Sequence, residues 1–413
     1  MSPKRTVLGP EVLERIFRHS RPRDWPSLTF VSRDFRRISI KLIMESLTLE
    51  PANIEFARRR ITRIRQMSPR PIVRHITFDV ALSQWELLHH IAVACHTTGQ
   101  CQSLSIGSSV HTADWEELAA TFTLHLAAMI PNVTTLVLKP VDRVFQHAIL
   151  SAYSPSVVRM TLHSAITTAM PDGWKPHVFP CLEEVNLVLD TVLGAGQESL
   201  PMLMAKYVKA PHLKVASIVG VTDGRMIGVQ EFLNSYANTL ETAKILGSFV
   251  FSDFDEIPLP ALPRVSCIHI EVKYVHRVIP EGFPVRECFP SLRTLVLESD
   301  WKTIETGLPD IDWDELQEAL VSMSVIRPLP LLVCGYRGPQ VVHHDLFVRS
   351  FSNRMLEATH DHWNIAAVYG RLEQRRYDHL PTRTTFTDAY VEKRREEGSL
   401  RRQVRYGPEL LNI

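Results

Sequence analysis

Residues 289–298, FPSLRTLVLE, carry the pattern that decides the fold of this chain. Pro290 is followed after two residues by Leu292, and Leu295 and Leu297 come three and five residues after Leu292. Successive side chains of a β-strand point to opposite faces, so apolar residues at alternate positions bury one face and leave the other free. The stretch therefore predicts a short strand whose Leu-x-Leu pair points into a core.

The same pattern recurs along most of the chain, in about nine copies spaced by roughly 24 to 32 residues. Strong copies begin at Pro71, Pro131, Pro155, Pro180, Pro263 and Pro290, and weaker ones run through Cys101, Pro211 and Leu240. Their first strand apolar residues are Ile76, Leu104, Leu136, Met160, Val185, Ala216, Ala243, Ile268 and Leu295. Leu47 and Leu49 form an earlier, atypical pair, as expected of a terminal repeat. The chain is therefore predicted to be a repeat protein.

Segments with helical spacing lie between the strands. The clearest apolar stripes are Trp115, Leu118, Ala119, Phe122, Leu126 and Ile130, and then Leu200, Leu203, Met204, Tyr207 and Val208. Strands that alternate with helices are expected to be parallel, because parallel neighbours need a crossover of about a dozen residues or more. We therefore predict an α/β fold of alternating short parallel strands and helices.

A barrel or a doubly wound sheet also alternates strands with helices, but its strands are buried on both faces. Here the residues beside the apolar pairs are mostly polar, which favours an open, curved solenoid whose strands line a concave wall. Its repeat length resembles that of irregular leucine-rich repeats, or lies slightly above it. We expect target binding on this wall at Lys139, Arg159, His163, Glu184, Lys244, His269, Glu271 and Glu298.

Composition narrows the class of protein. At 413 residues and 45% hydrophobic content, the chain is longer than one compact core usually needs, which the repeats explain. A net charge of +1 gives no support to a nucleic-acid binder. No stretch resembles a signal peptide or approaches the ~18 apolar residues of a membrane span. We expect a soluble intracellular protein, in the cytoplasm, the nucleus or both, without nucleic-acid or membrane partners.

The first residues lack the repeat pattern and predict three short helices. Pro10 suits a first helical turn, a second helix opens near Trp25, and Ser32 can cap the third. So small a module cannot bury a generous core, so one of its faces should meet a partner.

Residues 8–39, LGPEVLERIFRHSRPRDWPSLTFVSRDFRRIS, resemble an F-box. The resemblance rests on Leu8, Pro10, Glu11, Val12, Leu13, Ile16, Phe17, Asp24, Leu28, Val31, Ser32, Arg33 and Phe35. Gly9 departs from it, since the family usually has a proline there. The resemblance implies a substrate-recognition subunit of a cullin-based ubiquitin ligase, which binds the S-phase kinase-associated adaptor and, through it, a cullin. The adaptor-binding residues that it implies are Leu8, Pro10, Val12, Leu13, Ile16, Phe17 and Leu28.

Residues that could carry chemistry do not form a convincing constellation. His89, His90, Cys95, His96 and Cys101 are the nearest approach to a metal site, but their spacing favours packing. No glycine motif cradles phosphate, and no nucleophile elbow or carboxylate pair has a suitable context. We therefore expect a binding protein without catalytic residues, cofactor or metal.

The predicted domains are an F-box-like helical domain over 1–44, a leucine-rich-repeat-like solenoid over 45–339, and a polar C-terminal cap or tail, partly helical, over 340–413. A helix is predicted from Trp313 to Met323, a last strand from Leu331 to Cys334, and a helix from Thr387 to Glu397. The helix with Arg58, Arg59, Arg60, Arg63 and Arg65 is interpreted as a solvated face, with a nucleic-acid stripe as the alternative.

Two other functions stay open. The repeats could form an interaction scaffold or an inhibitor without a ligase role, in which case the N-terminal helices would be a cap that only resembles an F-box. A barrel-type enzyme would instead be compact.

Overall fold

A computed structural model describes residues 9–19, 25–67, 72–95, 100–109, 114–164, 176–189, 199–220, 226–246, 258–280, 282–300, 311–323, 331–337 and 366–371. The chain divides into two compact units, Met1–Leu182 and Glu183–Ile413.

Unit 1 alternates helices with short strands. Its helices are α1 (Pro10–His19), α2 (Trp25–Leu28), α3 (Arg33–Met44), α4 (Ile54–Gln66), α5 (Gln84–Ala94), α6 (Trp115–Glu117), α7 (Thr123–Met129) and α8 (Arg143–Tyr153), with a 3-10 turn at Pro51–Asn53 and a π-helical segment at Leu118–Phe122. Its strands are β1 (Ser46–Leu49), β2 (His75–Asp79), β3 (Ser103–Gly107), β4 (Thr135–Leu138), β5 (Arg159–His163) and the short β6 (His177–Val178). Strands β1 to β5 pair in chain order, and every pair is parallel.

Unit 2 has the same alternation. Its strands are β7 (Glu184–Leu189), β8 (Val208–Lys209), β9 (Val215–Gly220), β10 (Thr242–Leu246), β11 (Cys267–Glu271), β12 (Thr294–Asp300), β13 (Leu331–Arg337) and β14 (Ala366–Arg371). Its helices are α9 (Leu200–Tyr207), α10 (Met226–Ser235), α11 (Val275–Val278), α12 (Val285–Cys288) and α13 (Trp313–Met323), with a 3-10 turn at Val272–Tyr274. Parallel pairing runs in the order β7, β9, β10, β11, β12, β13, β14.

The register of these strands confirms the repeat spacing inferred from sequence. Leu295 lies opposite Ile268, and Leu297 lies opposite Ile270, on the neighbouring strand. The first apolar residues of the other repeats are also aligned on neighbouring strands. The aligned pairs are Ile76 with Leu104, Leu104 with Leu136, Leu136 with Met160, Val185 with Ala216, and Ala216 with Ala243. A mixed α/β fold with parallel strands is therefore confirmed.

Four of the repeat prolines, Pro180, Pro211, Pro263 and Pro290, have the same local structural role. Leu292 donates its backbone N–H to the carbonyl of Phe289 at 3.2 Å, which closes a turn with Pro290 at its second position. Proline is favoured there because its ring holds φ near the value that the turn requires. The same bond runs from Leu182 to Phe179, from Leu213 to Ala210 and from Val265 to Leu262.

A second repeating feature marks the entry to each strand. Arg293 and Thr294 donate successive backbone N–H groups to the single carbonyl of Ser266, at 2.8 and 3.0 Å. Equivalent double contacts are made to the carbonyls of Glu45, Arg74, Gln102 and Thr134 in unit 1, and of Glu183, Lys214 and Glu241 in unit 2. Each repeat therefore fixes the next through the same backbone contacts.

The helices between the strands bury apolar stripes, as the helical spacing predicted. In α4, Ala57, Ile61 and Ile64 are buried, and the ring of Phe78 in β2 lies 5.6 Å from that of Phe122. Ser32 caps α3 by accepting the Phe35 N–H, as predicted.

Three features differ from the predictions or fall outside them. The stripe that begins at Trp115 is interrupted by the π-helical segment, which its spacing did not indicate. Strand β14 pairs in parallel with β13, within the segment expected to be a partly helical cap or tail. The helix predicted over 387–397 lies outside the described residues.

Candidate functional site

The apolar residues of the N-terminal helices divide into an internal set and an outer set. Phe17 is 3% exposed and forms a small core with Ile38 and Leu42. Its ring meets that of Phe35 edge to face at 4.8 Å. Leu13, Leu28 and Phe35 are partly buried against the same core. Phe17 is one of the predicted adaptor contacts, and in the structure it packs inside this small core.

Val12 and Ile16 form the outer set on α1. They lie four residues apart, hence on one side of the helix, and are 47% and 49% exposed. Lys41 of α3 holds the opposite flank of α1 through an ion pair of 2.8 Å with Glu14. Leu8 and the side chain of Pro10 lie outside the described residues. Among the predicted adaptor contacts whose side chains the structure describes, Val12 and Ile16 are thus the most exposed.

The turn after α2 exposes two further apolar residues. Phe30 is 83% exposed and Val31 is 62% exposed. Neither side chain contributes to the small apolar core of the N-terminal helices. The helix ends at Leu28, so Phe30 and Val31 lie in the turn that follows it. The N-terminal helices therefore present more apolar surface than the resemblance alone indicated.

The polar strand face of unit 1 consists of outward side chains on β1 to β5. Arg159 is exposed, and its guanidinium donates to the hydroxyl of Thr135 on the neighbouring strand β4 at 3.2 Å. Lys139 is exposed as well and lies across Gly107, where an added Cβ would come within 3.1 Å of the lysine Cδ. His163 ends β5 and is half-buried. Three predicted target-binding residues therefore lie on this face.

Small hydroxyl groups line much of the remaining face. Ser46, Thr48, Thr77, Ser103, Ser105 and Thr161 are all half-buried at outward positions of their strands. The carboxylate of Asp79 is engaged locally, since it accepts the backbone N–H groups of Ala81 at 2.8 Å and Ser109 at 3.1 Å. The face therefore combines hydroxyl groups with basic side chains.

Unit 2 begins with a similar strand face. Glu184 at the start of β7 is exposed, and Lys244 in the middle of β10 is half-buried. Next to Glu184, Glu183 pairs with Lys214 at 3.0 Å. Two predicted target-binding residues therefore have accessible side chains here.

The last three predicted target-binding residues are buried, which corrects the expectation of a uniformly open face. His269, Glu271 and Glu298 are 1%, 2% and 4% exposed. Glu271 and Glu298 lie opposite one another on β11 and β12. The imidazole of His269 contacts the Glu298 carboxylate at 2.6 Å, and Lys273 lies 3.7 Å from the Glu271 carboxylate. These residues form a buried charged cluster.

Val296 explains this burial. It lies opposite His269 on the same strand face and is itself fully buried. The run Leu295, Val296, Leu297 is continuously apolar, which is the pattern of a strand covered on both faces. That signal was present in the sequence, but the alternation of the other strands obscured it.

The histidine and cysteine cluster around residue 90 does not gather into a site. His89 is exposed, whereas Cys101 is buried, and burial raises the pKa of its thiol to about 12. His96 lies outside the described residues. Among the described residues, no three His, Cys, Asp or Glu side chains are arranged to hold a metal ion.

A histidine pair in unit 1 was not predicted. The rings of His147 on α8 and His177 on β6 lie 4.5 Å apart. Burial, and then the charge of His147, lower the pKa of His177 to about 4, so this ring is neutral at pH 7. The two residues are distant in sequence and share no motif, which is why no sequence signal joined them.

Within the part of the chain that the structure describes, every helix is too short or too polar to cross a lipid bilayer. No protein-family model matches the chain, and no curated protein matches it. Assignment of a function therefore rests on the surfaces described above.

Proposed function

We propose that this chain is the substrate-recognition subunit of a cullin-based ubiquitin ligase. In this proposal the N-terminal helices are an F-box that docks the S-phase kinase-associated adaptor, and the repeats form a leucine-rich-repeat solenoid that binds a target protein. The chain performs no chemistry itself. It holds a target beside the ubiquitin-charged enzyme and so raises the effective concentration of the target's lysines there.

The observation that carries the proposal is the exposure of Val12 and Ile16. Both are large apolar side chains on one side of α1, while the adjacent Phe17 supplies the internal packing of the module. Burying an apolar side chain is worth roughly 1.5 to 3 kcal/mol. Binding of a partner that covers Val12 and Ile16 is therefore favoured by the burial of these two side chains, which are exposed in the free chain.

A pull-down of purified adaptor by the full-length chain tests this docking. The double variant Val12→Asp, Ile16→Asp should lose the adaptor, because two buried charges replace two apolar contacts. Trp85→Asp, Leu124→Asp is a matched control, since it makes the same change at residues exposed on α5 and α7. Equal retention of adaptor by both double variants would contradict docking through α1.

For the target, the supporting observation is the polar strand face of unit 1, where exposed Lys139 and Arg159 lie among small hydroxyl groups. Such a face suits a polar protein segment. The variant Lys139→Glu, Arg159→Glu should change which non-ligase proteins copurify with the chain. An unchanged set would place the target elsewhere.

The repeating backbone contacts also support a second candidate, a solenoid scaffold or inhibitor without a ligase role. It would retain both strand faces but ignore the adaptor. Small-angle scattering separates both candidates from a barrel-type enzyme, because a solenoid of about nine repeats gives an elongated, curved particle.

A further inference from the structure

Helix α4 carries a basic stripe that the proposed function does not use. Ala57, Ile61 and Ile64 are buried, so the opposite side of the helix faces outward. Phe56, Arg59, Arg60 and Arg63 follow one another at i, i+3, i+4 and i+7, which places them in one line along the helix. This α4 stripe is about 10 Å long, at ~1.5 Å per residue.

The nearby carboxylates are already engaged on the other flank of α4. Arg58 bonds Glu55 on its own helix and Glu86 on α5. Arg59 donates from Nε only to the backbone carbonyl of Glu55, at 3.4 Å. Arg60 and Arg63 have no carboxylate within ion-pair distance among the described residues. The positive charge of the α4 stripe is therefore not neutralised by these carboxylates.

Arg60 shows the consequence most clearly. It is half-buried, and its Nε–H is hidden from solvent without a hydrogen-bond acceptor. Burial lowers the pKa of its guanidinium, although the group stays cationic at neutral pH. A buried donor without an acceptor is costly, so the Arg60 side chain would gain by turning outward to an acceptor on a partner.

Phe56 adds an apolar contact to the stripe. Its side chain is 63% exposed. The phase of the helix brings Phe56 to the same side as Arg59, Arg60 and Arg63.

The charge distribution of the chain agrees with an anionic partner at this end. Residues 1–66 contain 15 Lys and Arg against 7 Asp and Glu, a net charge of +8, whereas the whole chain has a net charge of +1. Such asymmetry steers acidic surfaces towards the N-terminal part of unit 1.

We propose that the α4 stripe docks an acidic helical segment of a partner protein. Its carboxylates pair with Arg59, Arg60 and Arg63, and an apolar residue covers Phe56. A narrow line of charge suits a helix with carboxylates at the same i, i+3, i+4 and i+7 spacing. A nucleic acid is the alternative occupant. It is disfavoured because the stripe carries only three arginines and one aromatic residue, a short surface for binding that tracks a phosphate backbone. The proposal does not depend on the ligase role.

The test measures binding of a fluorescein-labelled helical peptide to the full-length chain by fluorescence anisotropy. The peptide is rich in alanine, with glutamates at i, i+3, i+4 and i+7 and one leucine. Arg59→Gln, Arg60→Gln, Arg63→Gln should weaken binding by about tenfold or more, since three charge-assisted contacts are lost. Phe56→Ala should weaken it a few fold.

The control Arg33→Gln, Arg37→Gln, Arg65→Gln removes the same charge at exposed positions off the stripe, and should bind within about twofold of the unmodified chain. The double variant Arg59→Gln, Arg63→Gln leaves the half-buried Arg60 in place. It should also weaken peptide binding, and it replaces the triple variant if that variant unfolds. Equal weakening by stripe and control variants would overturn the proposal. The proposal would also be overturned if a thymidine oligonucleotide bound more tightly than the peptide and lost this binding in the stripe variant. The surface would then bind nucleic acid.

Discussion

The imidazole Nε2 of His269 lies 2.6 Å from the carboxylate Oε2 of Glu298, on neighbouring parallel strands of unit 2 where both side chains are almost fully buried. With Glu271 and Lys273 they form the charged cluster of β11 and β12. Paired charges inside a protein contribute little net stability, but removing one partner leaves the other poorly compensated. The stability of strands β11 and β12 should therefore depend on keeping both partners of each contact in the cluster.

His269→Ala should accordingly lower the free energy of unfolding by about 1 to 3 kcal/mol, because the buried Glu298 carboxylate loses its contact with the imidazole. Urea denaturation at neutral pH measures the change. His163→Ala is the matched control, since His163 is half-buried on the unit 1 strand face and should cost about 1 kcal/mol or less. A loss below 1 kcal/mol at His269 would show that the cluster does not hold this contact in solution.

The strand register makes a second prediction at Leu297, which is fully buried opposite Ile270. Leu297→Ala should cost roughly 2 to 5 kcal/mol through lost burial and the cavity left behind. Leu124→Ala, at an exposed leucine, should stay within about 0.5 kcal/mol of the unmodified chain. Similar small changes at both positions would mean that the repeat register is wrong.

Neighbouring residues on α1 should behave in opposite ways. Phe17→Ala should destabilise the N-terminal helices by about 3 to 5 kcal/mol, because its ring fills their small core. Ile16→Ala should change stability by only about 0.5 kcal/mol but weaken adaptor binding. Thermal unfolding and adaptor binding, measured on the same two variants, give the comparison. Loss of stability at Ile16 with none at Phe17 would reverse the assigned faces of α1.

The histidine pair of unit 1 predicts a pH dependence. The pKa of His177 is about 4 in the folded chain, below its ordinary value of 6.5, so the unfolded chain binds this proton more readily. Stability should be fully present above about pH 6.5 and should fall as the pH drops from there towards 4. Urea midpoints at pH 7.5, 6 and 5 measure the slope.

His177→Asn should flatten this pH dependence, whereas His89→Gln, at an exposed histidine, should leave it unchanged. A slope that survives in His177→Asn would assign the effect to other groups.

The order and register of the strands could largely be predicted from sequence, because a proline turn and a Leu-x-Leu pair are local signals. Leu297 and Ile270 could be aligned by spacing alone, and the structure places them opposite each other. Strand β14 was missed because its segment lacks the repeat's proline and leucines.

The candidate site was predicted less completely, because exposure depends on what packs over a residue. His163 and His269 occupy outward positions on their strands, yet only His163 keeps partial exposure. The pairing of His147 with His177 depends on tertiary packing between distant segments and left no pattern to detect.

The central claim is that the N-terminal helices dock the S-phase kinase-associated adaptor, and the mass of the complex tests it most directly. The 47.1 kDa chain is mixed with purified adaptor and passed through size-exclusion chromatography with light scattering. We predict one peak with the summed mass of one chain and one adaptor, which Val12→Asp, Ile16→Asp abolishes while the variant stays folded. An unmodified chain that elutes alone, at 47.1 kDa beside free adaptor, would contradict the ligase role and favour the scaffold.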